Sequence, residues 1–373
     1  MAGKLGFGLM RLPQTDANNP AAIDIDQLKE MVDMFLEAGF TYFDTAWMYQ
    51  DFASECAVKE ALVERHPRES FTLATKLHPG FFDSLEDRDK IFYKQLEKTG
   101  AGFFDYYLLH GVDDESRVKF EELDCFSWMQ AKKDEGLVRH AGFSFHGSPL
   151  VLGQLLDAHP ETEFVQLQLN YLDWESPWIQ SRACYEVCAH RGVPVIVMEP
   201  VKGGSLAKVP PEVEALFKNA EPDMSVPSWA VRFAATLPDV ALVLSGMSDV
   251  AQMRDNISYM SDFQPLSQAE QDLCFKAADL INAQIAVPCT GCSYCTGSCP
   301  QNIPIPQYFS LYNEVMREDM EHKGWTVSFA MYDSLAKEHG KASECIGCGS
   351  CEAICPQHLP ISEHLRAVAE CFE

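Results

Sequence analysis

With 373 residues, 47% of them hydrophobic and 23% charged, the chain has material for two domains, or for one large domain with an appendage, around a sizeable core. A formal net charge of -26 argues against nucleic acid or anionic lipid as partners, because both need Lys and Arg gathered on one face. No apolar run of about 18 residues is present to span a membrane, and the charged start Met1-Ala2-Gly3-Lys4 has no apolar h-region, so a cytoplasmic location with reduced thiols is expected.

Gly and Pro punctuate the first 280 residues into short apolar runs alternating with amphipathic ones. The strand candidates are Leu5 to Met10, Thr41 to Thr45, Phe71 to Lys76, Asp105 to His110, Arg139 to Ser144, Phe164 to Leu169, Pro194 to Glu199 and Val240 to Gly246. Helical patterns follow at Ile25 to Ala38, with a stop at Gly39, then Glu55 to His66, Leu85 to Lys98, Lys119 to Asp134, Pro149 to Ala158, Ile179 to Arg191, Val226 to Ala235 and Val250 to Met260. Strand and helix alternating in this way predict an α/β fold, a (β/α)8 TIM barrel over residues 1 to 284; a doubly wound sheet is the alternative, since periodicity does not show closure.

In such a barrel the chemistry gathers where strands end, at the C-terminal face. The polar residues there are Asp44 and, five residues on, Tyr49; Lys76; His110; Ser144; Gln166 and Asn170; and Glu199. A tyrosine that protonates a carbonyl oxygen at neutral pH is expected to have a lowered pKa, which a nearby ammonium favours. These residues carry a resemblance to the aldo-keto reductase family: Phe43-Asp44-Thr45-Ala46-Trp47-Met48-Tyr49 looks like its aspartate and tyrosine segment, Ala74-Thr75-Lys76-Leu77 like its lysine strand, and Asp105-Tyr106-Tyr107-Leu108-Leu109-His110 like its histidine strand. The resemblance implies Tyr49 as general acid or base, Lys76 tuning it, Asp44 anchoring Lys76, and His110 orienting a carbonyl or alcohol substrate. Ser144 and Gln166 resemble the residues that hold the nicotinamide carboxamide, although Phe145 stands where the family usually has asparagine.

Barrels often bind phosphate in the loops after strands seven and eight. Lys202-Gly203-Gly204 and Gly246-Met247-Ser248 occupy those loops, with Ser248 expected to cap the next helix, and Met198 and Asn256 complete the cofactor-binding set. Asp249 replaces the Lys or Arg that favours a 2'-phosphate, so NADH and NADPH both stay open. A flavin is a third option, because it bridges hydride and single-electron chemistry. The loops His78 to Ser84, Gly111 to Arg117 and Tyr171 to Trp178 are expected to line the substrate pocket; their aromatics are Phe81, Phe82, Tyr171, Trp174 and Trp178. His78, His140 and His146 flank the site without an assigned role.

The last 89 residues, 285 to 373, change character. C-T-G-C-S-Y-C-T-G-S-C-P from Cys289 to Pro300 recurs 56 residues later, from Cys345 to Pro356, as C-I-G-C-G-S-C-E-A-I-C-P, and each copy is followed by a similar tail, Gln301 to Ile305 and Gln357 to Ile361. Zinc sites use paired C-x2-C units without a third cysteine three residues on, and a reducing compartment disfavours disulfides. The pattern resembles a dicluster ferredoxin. In two-cluster ferredoxins the fourth cysteine of each run ligates the other cluster, which implies one [4Fe-4S] cluster on Cys289, Cys292, Cys295 and Cys355 and a second on Cys345, Cys348, Cys351 and Cys299. The 45 residues between Cys299 and Cys345 include helical candidates at Tyr308 to Met320 and Val327 to His339, so this domain is expected to be mainly helical, similar to the ferredoxin module of succinate dehydrogenase iron-sulfur subunits. Of the six other cysteines, Cys56, Cys125, Cys184, Cys188, Cys274 and Cys371, each is expected to be a small buried hydrophobe.

The leading expectation is an iron-sulfur oxidoreductase coupling a barrel site to electron transfer towards a redox partner that offers a basic patch. The alternatives are an electron-transfer subunit whose barrel is a docking scaffold, or an ordinary reductase with structural or sensing clusters.

Overall fold

The computed structural model describes residues 3 to 16, 18 to 176, 179 to 283, 285 to 317 and 327 to 373; Trp178 and the predicted helix end at Met320 lie outside them. Eight parallel strands close into one barrel: β1 (Leu5–Gly8), β2 (Tyr42–Asp44), β3 (Thr72–Leu77), β4 (Phe104–Val112), β5 (Val138–Phe145), β6 (Val165–Gln168), β7 (Val195–Met198) and β8 (Val240–Ser245). Each predicted strand is present, and closure is made by Leu5 and Phe7 of β1 lying against Val243 and Ser245 of β8. A large hydrophobic core packs the barrel against its helices, and a smaller one, with Leu108, Ile196 and Leu242, fills its interior.

The helices obey their local signals. Helix α1 (Ile25–Glu37) starts at Asp24, whose side chain accepts from the Gln27 N–H, and stops before Gly39, which takes φ +86°. Helix α2 (Ser54–Val58) runs on as a π-turn over Lys59–Val63, and α3 is Leu85–Thr99. The single helix expected over Lys119 to Asp134 is two, α4 (Ser116–Glu122) and α5 (Cys125–Asp134). The Arg88 guanidinium takes the Leu123 carbonyl at 2.6 Å, an acceptor that a continuing helix needs, and Asp124 turns left-handed at φ 48°. Helices α6 (Pro149–Ala158), α7 (Ser181–His190), α9 (Val226–Thr236) and α10 (Val250–Met260) lie where expected. Two more in this part of the chain were not expected, α8 (Pro211–Ala220) and α11 (Gln268–Asn282). The Ser267 and Glu270 capping box that opens α11 was readable in the sequence.

From Val287 onward a separate core forms around Ile303, Tyr308, Phe309, Leu359, Leu365 and Val368. It is helical as expected, with α12 (Ile305–Arg317), α13 (Val327–Glu338), the single turn α14 (Ser350–Ala353) and α15 (Ile361–Phe372). Tyr332 stacks between Tyr308 and Phe372, with ring centroids 4.4 and 4.7 Å away. Both duplicated tails are bent the same way, with Asn302 and His358 left-handed at φ 52° and 49° and Ile303, Ile305, Leu359 and Ile361 buried beneath them. Of the six cysteines outside the two runs, Cys125, Cys184, Cys188 and Cys274 are buried as expected, whereas Cys56 is exposed because its helix turns it outward, and Cys371 is half-buried.

Candidate functional site

Strands β2, β3 and β4 end side by side, and they deliver Asp44, Lys76 and His110 to one place; Tyr49 returns to it from the loop after β2. Lys76 is fully buried, and its Nζ ion-pairs with Asp44 Oδ1, donates to the Thr45 carbonyl at 2.7 Å and to the Tyr49 hydroxyl at 3.2 Å. The Tyr49 and His110 rings meet edge-on at 5.8 Å. Behind Lys76, Gln95 Nε2 donates to the Lys76 carbonyl at 3.0 Å and to the buried Glu55 at 2.8 Å, while Lys98 closes on Glu55 at 2.8 Å. Sequence reading missed this supporting layer, because Glu55 and Gln95 meet only in three dimensions.

The electrostatics differ from expectation in one respect. Burial pushes the Asp44 carboxyl up and the Lys76 ammonium down, each partly restored by the other. The Lys76 bond to the Tyr49 hydroxyl does not bring the phenol below its ordinary value. Burial, then Asp44, then Glu199 hold the phenol well above its ordinary value, which makes Tyr49 a neutral proton donor. His110 is also neutral: burial, with Lys76, His78 and His146 around it, depresses its pKa well below the ordinary histidine value. Burial brings His78 and His146 down to about 4. His140 lies instead at the start of β5, exposed and bonded to Glu163 at 2.7 Å, away from the strand ends that carry the site.

An aromatic rim leads outward from Tyr49. His110 contacts His78 at 5.2 Å, His78 contacts Phe81 at 5.4 Å, Phe81 contacts Phe52 at 5.5 Å, and Phe52 contacts Trp47 at 6.1 Å. Phe52 and Phe81 are partly open to solvent, whereas Phe82 and Tyr171 belong to the core and Trp174 packs on Tyr185 and Phe233.

The proposed cofactor residues divide into two groups. Ser144 accepts from the Gly111 N–H at 2.8 Å at the end of β5, Gly246 is exposed after β8, and the buried Asn256 has its Oδ1 without a partner among the described residues. An unpaired acceptor and an open glycine turn fit a dinucleotide lying across that side. The rest is arranged differently from expectation. Asp249, not Ser248, caps α10; Gln166 donates to Asp44 at 3.2 Å; and Met198 is half-buried at the end of β7. Lys202 is buried, ion-paired with Asp173 and donating to Gln357 Oε1 at 2.8 Å, and Gly203 lies under Thr290 of the first cysteine run while its carbonyl accepts from Arg11 at 2.6 Å. Gly204 follows in the left-handed region, at φ +100°. Protein groups thus fill the places on this loop where phosphate was expected.

The cysteine module sits on the barrel mouth through this loop and its neighbours. Gln357 exchanges bonds of 3.1 and 3.3 Å with Gln168 at the end of β6, and His358 Nε2 lies 2.7 Å from the His146 carbonyl. Tyr294 of the first run comes near enough to Tyr49 and Glu199 that, after burial, their charges raise its hydroxyl pKa. Glu199 is left-handed at φ 56°, and its Oε2 is buried without a partner among the described residues. A further cavity at this junction is bordered by Tyr171, Asp173, Lys202, Asn282, Pro288 and Gln357.

The eight cysteines form two groups. Cys289, Cys292, Cys295 and Cys355 line one cavity, and Cys299, Cys345, Cys348 and Cys351 line another, each drawing three from one run and one from the other. Among the described residues no three His, Cys, Asp or Glu side chains converge closely enough for a single metal ion. Four sulfurs around one cavity, three from one run and the fourth from the other, suit a cubane.

Barrel and site together define an oxidoreductase built on a (β/α)8 scaffold. The family model "Aldo/keto reductase family" matches residues 4–278 and "4Fe-4S dicluster domain" matches residues 288–359; the chain belongs to the aldo/keto reductase family and carries an iron-sulfur domain behind the barrel. Among curated relatives, the oxidoreductase YqkF of Bacillus subtilis is 25% identical over 285 residues, covering 68% of this chain and 86% of its own. L-galactose dehydrogenase of Arabidopsis thaliana is 25% identical over 292 residues, covering 72% and 88%. The solved structure of aldo-keto reductase AKR11C1 from Bacillus halodurans, in its holo form, superposes with a TM-score of 0.57 at 25% identity, covering 74% of this chain and 91% of that one. An aldo-keto reductase from Klebsiella pneumoniae in complex with NADPH shares the fold, with a TM-score of 0.56 at 18% identity and coverage of 74% and 90%. No described helix is long and apolar enough to cross a membrane.

Proposed function

We propose that this chain interconverts a carbonyl and an alcohol in the barrel, residues 1 to 284, and exchanges the electrons with a redox partner through two [4Fe-4S] clusters in the module, residues 285 to 373. The observation that carries the reading is the joining of the first cysteine group to the barrel mouth: Gln357, which lines that group's cavity, bonds to Lys202 and Gln168.

When bound, NADH or NADPH would supply a hydride, two electrons travelling with one proton, whereas each cubane cluster takes one electron, so the two clusters together match one hydride. The chain's own residues do the rest. Tyr49, neutral and in reach of Lys76, donates its proton to the carbonyl oxygen in reduction and recovers it in oxidation. Lys76 steadies the phenolate that remains by donating to its oxygen, while Asp44 and the Thr45 carbonyl fix the ammonium. His110, neutral beside Tyr49, orients the substrate oxygen, and the rim from His78 to Trp47 favours an apolar or ring-shaped substrate. Ser144, Gly246, Ser248 and Asn256 are the residues that would hold the nicotinamide cofactor. Cys289, Cys292, Cys295 and Cys355 would hold the barrel-side cluster, and Cys299, Cys345, Cys348 and Cys351 the outer one.

Iron and sulfide analysis of oxygen-free protein tests the metal content. The expected result is about eight irons per chain, two cubes' worth; about four or fewer would contradict it. A yellow cofactor that survives cluster removal would add a flavin between the hydride and the clusters.

A further inference from the structure

We propose that Lys202 sets the reduction potential of the barrel-side cluster, positioned for that task by Asp173 and Gln357. The inference rests on the reading of Cys289, Cys292, Cys295 and Cys355 as ligands of one [4Fe-4S] cluster. Lys202, Asp173, Gln168 and Gln357 are all nine-tenths or more buried. The Lys202 ammonium bridges Asp173 Oδ1 on the barrel side and Gln357 Oε1, 2.8 Å away, on the module side. Asp173 has no freedom to turn, because its Oδ2 accepts from Gln168 at 2.9 Å and from Asn170 at 2.8 Å. Gln357 stands two residues after Cys355 and lines the cavity of that cysteine group.

A cluster held by four thiolates gains negative charge when reduced. A fixed cation across one amide therefore favours the reduced form, and the low dielectric of a buried junction strengthens the effect. Neither cavity has a lysine or arginine in its described lining, but the barrel-side lining reaches one through Gln357, whose Oε1 accepts from Lys202. The geometry thus makes the barrel-side cluster the easier of the two to reduce from the active site.

The test is an EPR-monitored redox titration of the full-length, anaerobically isolated protein and of two neutralising variants. Lys202→Met should move one of the two midpoints to a more negative potential. Asp173→Asn, which leaves the ammonium uncompensated, should move the same midpoint the other way. The second midpoint and an iron content of about eight should stay unchanged in both. Should Lys202→Met lose iron, Lys202→Gln takes its place. A lock that is merely structural would shift both variants in the same direction or leave the midpoints unmoved, and either result overturns the proposal while leaving the two-cluster reading standing. Wild-type protein with far too little iron overturns that reading, and the inference with it.

Discussion

The two cysteine runs are near copies, and the structure uses them differently. Their glycines, Gly291 and Gly347, take the same left-handed turn at φ 69° and 65°, and Ser293 adopts at 65° what Gly349 adopts at 73°. The ligand loops therefore match. The differences lie between the cysteines: Thr290 packs on Gly203 where Ile346 is 64% exposed, Tyr294 approaches Tyr49 where Ser350 begins the short α14, and Gln357 bonds to Lys202 where Gln301 stays within the module. A repeat supplies the thiolate geometry; the residues around it decide which copy faces the barrel and which faces outward, with Cys348 and Ile354 exposed beside Ile346.

The largest effect is expected from breaking the two groups one at a time. Cys355→Ser and Cys299→Ser should each lose about four irons. Only Cys355→Ser should also stop reduction of the remaining cluster from the barrel, because Cys299 belongs to the outer group. Rapid-mixing spectroscopy with iron analysis checks both, and equal behaviour of the two variants would erase the distinction between inner and outer.

Next in size is Tyr49→Phe, expected to slow carbonyl reduction by roughly 10²- to 10⁴-fold with iron content unchanged. Because burial and the carboxylates of Asp44 and Glu199 hold Tyr49 protonated, the kcat/KM profile of the unmodified protein should show no alkaline loss from this group until well above pH 10. A limb falling near pH 7 to 8 would instead mean that Lys76 lowers the phenol after all.

The smallest effect concerns stability. His78 is folded with a pKa of about 4 against an ordinary 6.5, so the unfolded chain binds the proton more readily, and stability present above pH 6.5 is lost as pH falls towards 4. The loss from this residue is on the order of 3 kcal/mol. His78→Asn, whose Oδ1 keeps an acceptor for the Gly80 N–H, should flatten that acid limb in denaturant titrations; an unchanged limb would assign it to other groups.

Much of this was legible in the sequence because its signals are local. Apolar runs between glycines and prolines gave all the strands, and the spacing of Asp44 and Tyr49, the strand ends at Lys76 and His110, and the doubled C-x2-C-x2-C-x3-C-P run gave the main candidates. What escaped depends on long-range pairing. Nothing local marks Asp173 and Gln357 as partners of Lys202, and a lysine beside two glycines after a seventh strand reads as a phosphate site until the module is seen resting on it. The Tyr49 pKa escaped for a related reason: Lys76, Asp44 and Glu199 were all readable near the phenol, but the burial that raises it most was not. The break at Asp124 likewise needed Arg88, 36 residues away.

The central claim is that barrel and clusters form one electron path. Anaerobic mixing with NADH or NADPH, following the nicotinamide and the visible cluster absorbance together, tests it most directly. The account predicts that the cluster absorbance bleaches as the nicotinamide is oxidised; nicotinamide consumed by a carbonyl substrate while the clusters stay fully oxidised throughout would contradict it.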